Sequence, residues 1–232
     1  MKLKELDGLY LKNKDLATKS FFTLIAPITP PVIIQDYDGN IYTSVRIGNQ
    51  EWMVENLIVT HYRDGTEIPN VINDITWNGL SSGAYCWYNN DAITYADYGV
   101  LYNAYAVQNS KGLAPIGWRI PTYNDFVNLC TYLGGYPIAG GKMKEEGLVH
   151  WTNPNTGATN ESGFTGLSTG IRYWAGGFDF INELGDYYSS SWYELPDAPY
   201  HLTLNYDNTV ASLSIILSHP EWGLAVRCMR DV

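Results

Sequence analysis

The chain has 232 residues, 45% of them hydrophobic and 16% charged, with 19 Tyr and 8 Trp. That composition describes a globular chain able to bury a sizeable core, and it excludes a disordered polymer. A net charge of −10 argues against nucleic acid as a partner, because such binding works by neutralising phosphates. Residues 1–35 carry five Lys against Glu5, Asp7 and Asp15, whereas the remainder carries 9 basic and 21 acidic residues. The break divides the chain into an N-terminal attachment arm with its linker, 1–35, and a body, 36–232.

In the arm, residues 1–11 mix Lys, Glu and Asp with Leu and do not read as a secretion signal. Leu16, Phe21, Phe22, Leu24 and Ile25 are too apolar for a solvated tail, so they are expected to anchor the chain in a protein assembly. Thr29-Pro30-Pro31 supplies a stiff spacer. The apolar run through 21–34 is interrupted by Thr and Pro, so membrane insertion is not expected.

The body opens on Asp38-Gly39-Asn40, a turn signal between 32–34 and 42–47, and Gly48-Asn49 turns a second hairpin back along 51–57. Asp36 and Asp38 do not make a calcium loop, since the Glu of that pattern is missing at its spacing. Residues 64–112 read as loops around two Tyr-rich clusters, 85–88 and 102–105. A helix is predicted over 123–133. Thr122 is its N-cap, Asp125 occupies the capping-box position, and Phe126, Leu129, Cys130 and Leu133 share one face before Gly134-Gly135 stops it. Strands are expected at 164–167, 187–192, 201–204, 212–217 and 224–229. Little helix and many short strands make an α+β domain.

Seven strings, in order, carry a resemblance. They are Val45-Arg46-Ile47-Gly48-Asn49-Gln50-Glu51-Trp52 continuing to Leu57, Gly83-Ala84-Tyr85-Cys86-Trp87-Tyr88, and Tyr98-Gly99-Val100-Leu101-Tyr102-Asn103. Next come Gly117-Trp118-Arg119-Ile120-Pro121-Thr122, Gly140-Gly141-Lys142-Met143, Pro154-Asn155-Thr156-Gly157 continuing to Phe164, and Ala225-Val226-Arg227-Cys228-Met229-Arg230-Asp231. Over residues 36–231 the chain resembles the Fibrobacter succinogenes major paralogous domain, a bacterial extracellular family. The resemblance implies a C-type-lectin-like fold: an α+β domain of short strands, one or two helices and long loops, here preceded by the extended arm. It also implies paired N- and C-terminal strands, with the loops displayed on one side. The arm stands where the family has a secretion signal, and Ala114 stands where it often has Cys. Because lectin-like folds pack the relevant helix against the last strand, the resemblance allows a Cys130–Cys228 disulfide; three free buried thiols are the alternative.

Trp118–Thr122 and Val226-Arg227-Cys228 also resemble the formylglycine-generating enzymes. That chemistry needs a close cysteine pair near the C-terminus, and Cys228 stands alone there. His61, His150, His201 and His219 come without a nucleophile elbow. Glu145, Glu146, Glu161, Glu183 and Asp186 leave open an acid pair of the glycosidase kind. Of the lectin calcium tripeptides, Glu67-Ile68-Pro69-Asn70 has an inserted Ile and Asn89-Asn90-Asp91 lacks its neighbouring Trp. Calcium stays open, and no other cofactor is expected.

The composition most suited to recognition lies between Gly170 and Pro199. Tyr173, Trp174, Phe178 and Asp179 surround Gly176-Gly177, and Trp192, Tyr193 and Glu194 follow three serines. Amphipathic rings beside carboxylates suit sugar stacking or a protein partner, although Trp174 and Trp192 also suit a core. The expected function is a non-enzymatic binding and display module, a virion or surface-structure component such as a phage fibre or capsid decoration. Its arm docks into a protein assembly and its loops contact a host or cell-surface glycan or protein. A homo-oligomer on a virion or at an extracellular surface is expected. The alternatives are a secreted bacterial adhesion domain and a glycan-active enzyme using acidic cleft residues.

Overall fold

A computed structural model describes residues 33–193, 198–216 and 219–232. The anchor residues Leu16, Phe21, Phe22, Leu24 and Ile25, with the rest of 1–32, lie outside the described residues, as does Glu194.

The first turn forms through one carboxylate. Asp36 accepts from the backbone N–H groups of Asp38 and Asn40 (both 3.0 Å), from Asn40 Nδ2 at 2.9 Å and from the Tyr42 hydroxyl at 2.6 Å. This closes β1 (Ile34–Gln35) onto β2 (Ile41–Tyr42), with Ile34 opposite Tyr42. Ile34 is buried, so the body starts with this strand, ahead of Asp36. The second hairpin joins β3 (Ser44–Ile47) to β4 (Gln50–Met53) through Gly48, whose φ of +63° suits the tight turn. β4 is shorter than 51–57 because its continuation turns to the C-terminal segment: Met53 N donates to Cys228 O and Leu57 N to Val226 O.

The middle of the chain is less loop-like than its composition suggests. Asn73 caps α1 (Asp74–Asn78) by accepting from Thr76 N at 2.9 Å. β5 (Tyr85–Trp87) pairs with β6 (Val100–Tyr102), and Asn103 caps the short α2 (Ala104–Val107). The helix expected over 123–133 is α3 (Tyr123–Tyr132), with the Thr122–Asp125 capping box formed and Phe126, Leu129 and Cys130 buried. α4 (Tyr136–Met143) lies where the sequence reading placed no helix, because Gly140-Gly141 weakens helix propensity. Tertiary crowding demands both glycines. A Cβ at Gly140 would lie 2.4 Å from Val210 O, and one at Gly141 would lie 2.5 Å from Gly157 O.

The largest sheet follows: β7 (Thr169–Arg172), β8 (Phe178–Ile181), β9 (Leu184–Trp192), β10 (Pro199–Asn205) and β11 (Ala211–Ile215), in the order β11-β10-β9-β7-β8. All neighbours are antiparallel except β7 and β9. The expected strand at 164–167 is replaced by irregular chain. Gly163 and Thr165 take positive φ, and the buried Arg227 takes the Phe164 and Thr165 carbonyls. The expected strand over 224–229 is reduced to bridges from Leu224 to Tyr102 and from Ala225 to Tyr187. β12 (Met229–Asp231) then pairs with β4 in the order β12-β4-β3, so the last strand joins the second hairpin, while the opening strand β1 pairs only with β2.

Two large apolar clusters fill the body. In one, Trp52 stacks on Phe126 at 5.6 Å and meets the edge of Phe164 at 5.5 Å, between α3, α4 and the large sheet. The other gathers Leu57, Val59, Tyr102, Trp118, Tyr188 and Val226. Cys86, Cys130 and Cys228 are all free and buried. The Cys130–Cys228 bridge is not formed: Cys130 packs in the first cluster and Cys228 in the second. Burial pushes the Cys86 and Cys130 thiols up to about 12. Among the described residues, no helix is long and apolar enough to cross a membrane.

Candidate functional site

Arg172, the last residue of β7, is fully buried and fastens the base of the candidate recognition loop. Its guanidinium donates to Val71 O (2.5 Å), Ile72 O (3.2 Å) and Asp74 Oδ1 (2.7 Å), and it lies over the rings of Trp77 and Phe178. The bond from Arg172 holds the Asp74 carboxyl below its ordinary range. From this base the chain reverses through 173–177, with Tyr173 N donating to Gly177 O and Gly176 N to Tyr173 O. Gly176 has φ +88°, and a Cβ there would lie 2.3 Å from Asp74 Cβ, so only glycine fits.

The loop presents two rings, each backed by a residue from the C-terminal region. Tyr173 meets Trp222 edge-on at 5.1 Å, and Trp174 stacks on His219 at 4.3 Å with an interplanar angle of 7°. Trp174 is half-buried and belongs to none of the core clusters, whereas Tyr173 and Trp222 pack against one of them. The next two candidates lie on β8. Phe178 packs on Tyr88 at 5.3 Å, and Asp179 is exposed, its Oδ2 3.5 Å from the Tyr173 hydroxyl. Burial, with Asp179 nearby, raises the Tyr173 phenol above its ordinary range.

Trp192 and Tyr193 close β9. Trp192 packs against the core, and its buried Nε1 finds no hydrogen-bond partner among the described residues. Tyr193 is exposed and starts a file of rings: Tyr193 to Tyr200 at 6.0 Å, then Tyr200 to Tyr123 at 4.4 Å. The serines before them act internally. Ser189 Oγ accepts from Ser191 N, Ser190 Oγ donates to Pro121 O, and Ser191 Oγ accepts from Tyr123 N, which ties β9 to the start of α3. The structure therefore brings Tyr173 together with Asp179 and sets Trp174 at the surface. Trp192 lies against the core, and Phe178 serves as a lid over Arg172. Sequence reasoning did not place Trp222, His219, Tyr200 or Tyr123 beside these rings; the aromatic turn His219-Pro220-Glu221-Trp222 was the available signal.

Three of the five acidic residues considered for catalysis, Glu145, Glu161 and Asp186, are engaged with neighbours. Glu145 accepts from His150 Nδ1 at 2.8 Å, and Glu161 pairs with Lys142 at 2.8 Å. Asp186 is buried, accepts from Thr203 Oγ1 and lies 4.0 Å from His201. Asn90 and Asp91 are engaged as well, Asn90 Nδ2 with Ile72 O and Asp91 Oδ1 with the N–H groups of Ile93 and Thr94. Among the described residues, no group of three or more His, Cys, Asp or Glu side chains stands close enough to hold a metal ion.

Comparison with curated proteins and with solved structures returns no match. The model of the Fibrobacter succinogenes major domain matches residues 45–230, which takes in every strand from β4 to β11 and the described helices α1 to α4. With that match over most of its length, the chain belongs to the Fibrobacter succinogenes major domain family.

Proposed function

We propose that this chain is a non-catalytic recognition module with a C-type-lectin-like body, displayed at the exterior of a virion or a cell. Its ligand is a surface glycan bound across the 173–179 loop. The observation that carries the reading is Trp174: a wide ring kept outside the core clusters and backed flat by His219 at 4.3 Å. An indole held flat at the surface stacks on the C–H face of a sugar, and the exposed Asp179 carboxylate beside Tyr173 accepts hydroxyl hydrogen bonds. The apolar residues of the arm support attachment to a larger assembly.

Glycan-array binding and thermal melts of two variants test the proposal. Trp174→Ala should abolish most binding, an effect of about 2 kcal/mol or more for a central aromatic anchor, and leave the melting midpoint nearly unchanged. Trp192→Ala should lower the midpoint, since emptying a packed indole site costs about 3–5 kcal/mol. A Trp174→Ala protein that melts as early as Trp192→Ala would make Trp174 a packing residue and sink the proposal. Full retention of glycan binding would do the same.

A further inference from the structure

The strands that end the two larger sheets are finished differently. At one end of the five-stranded sheet, β8 carries Asp179, and Phe180 takes φ +62°, bending that edge. In the three-stranded sheet the outer strands carry Arg46 on one side and Arg230 with Asp231 on the other. β11 has none of these devices. It reads Ala211-Ser212-Leu213-Ser214-Ile215, with no charge, no proline and no left-handed residue. One side of it pairs with β10 along all five residues, and no described strand pairs with the other. Beside it runs an open groove of about 450 Å³ lined by residues 210–214 with Tyr123 and Tyr136. α4 packs against β11 and is tied to the residues just before it, Gly141 N donating to Thr209 O and Thr209 Oγ1 to Pro137 O. No described strand takes the free edge of 211–215, however, and an uncharged edge on a chain of net charge −10 is a pairing surface.

We infer that β11 is the contact of a two-fold dimer, in which β11 of a second copy lies antiparallel to it and joins the two five-stranded sheets into one. The strand's own sequence selects a second copy as the occupant. It is symmetric about Leu213: a two-fold axis there sets Leu213 opposite Leu213, Ser212 opposite Ser214, and Ala211 opposite Ile215. Ala211 is buried, Leu213 and Ile215 are half-buried, and Ser212 and Ser214 are exposed. In this register every apolar residue meets an apolar residue on the inner face, and every serine meets a serine on the outer face. A slip of one residue would set serines against the apolar set, so the register is fixed by the same alternation that packs the strand on its own core. No charge faces a like charge across the axis, as a self-complementary contact requires.

Sedimentation of the full-length chain tests the pairing. Ser212→Lys combined with Ser214→Lys sets lysine against lysine twice across the axis, and should halve the mass of the native particle. Ser212→Glu combined with Ser214→Lys sets glutamate against lysine twice, and should keep the mass. In an independent arm, copies carrying Ser212→Cys are mixed with copies carrying Ser214→Cys. A disulfide-linked dimer should form in the mixture and not from either variant alone, the three native thiols being buried. A monomeric wild-type chain overturns the inference and leaves the edge to an extended segment of another protein. A mass that does not respond to the lysine pair, or a mixture that does not cross-link, overturns it too.

Discussion

Arg172, Arg227 and Lys144 are all fully buried, and each is supplied with acceptors or rings that offset the loss of water. Arg227 donates to Asn56 Oδ1 through Nε (2.9 Å) and Nη2 (2.5 Å) and lies over Phe164. Lys144 Nζ donates to the carbonyls of Thr156, Asn205 and Asn208 at 3.0, 2.8 and 2.9 Å. Asp186 is the buried charge with the poorest company. Burial pushes its carboxyl above the ordinary range, with His201 and Thr203 acting in the opposite sense. A raised folded-state value means that the folded chain holds this proton more tightly than the unfolded one. The resulting stability is present below about pH 4, the unfolded value, and is lost as pH rises through the folded value. Asp186→Asn keeps an acceptor for Thr203 and carries no charge. Its stability relative to wild type should therefore climb between pH 4 and pH 7 in urea titrations. A difference that stays flat across that window would show that Asp186 titrates alike in both states.

At the scale of elements, α3 shows which local signals suffice. Thr122 Oγ1 accepts from Asp125 N at 3.2 Å, and Asp125 in turn accepts from Thr122 N at 2.7 Å and from Arg119 Nη2 at 3.0 Å. Arg119 also reaches Asp231 on β12, so the cap fastens the helix to the last strand. Burial pushes the Asp125 carboxyl up, and the bonds from Arg119 and Thr122 more than offset this, leaving it below its ordinary range. Thr122→Ala should cost about 1 kcal/mol, an ordinary cap. Asp125→Ala should cost more, about 2 kcal/mol, because it removes the solvent-screened link to Arg119 as well as the cap, while Arg119 keeps Asp231. Equal costs in chemical denaturation would mean that the Arg119 link contributes nothing. This helix was legible because its cap, its apolar spacing and its glycine stop lie within a dozen neighbouring residues. α4 was not, since its glycines are set by Val210 and Gly157, which the local sequence does not contain. For the same reason the sequence pointed to Tyr173 and Trp174 but not to Trp222 and His219 as the rings that back them. Those rings arrive only because Gly223 bridges to Arg172 in the folded chain.

For the whole molecule, the apolar clusters draw their described residues from Ile34 through Met229, and β12 closes on β4 near the start of the body. A chain beginning at Ile33 should therefore unfold in one cooperative transition with coincident near- and far-ultraviolet dichroism. Separate or shallow transitions would place part of the core in residues 1–32. The assembly depends on segments far apart in sequence, and Lys144 marks where three of them meet: residue 156, the end of β10 and the turn before β11. Carbonyl oxygens converging on a positive centre are what a protein uses to capture a cation from solution. Here the occupant is tethered, so its local concentration is set by the chain, and neither dilution nor a chelator can remove it. Alkali is the agent that acts on this junction, because burial already draws the ammonium down to about 8.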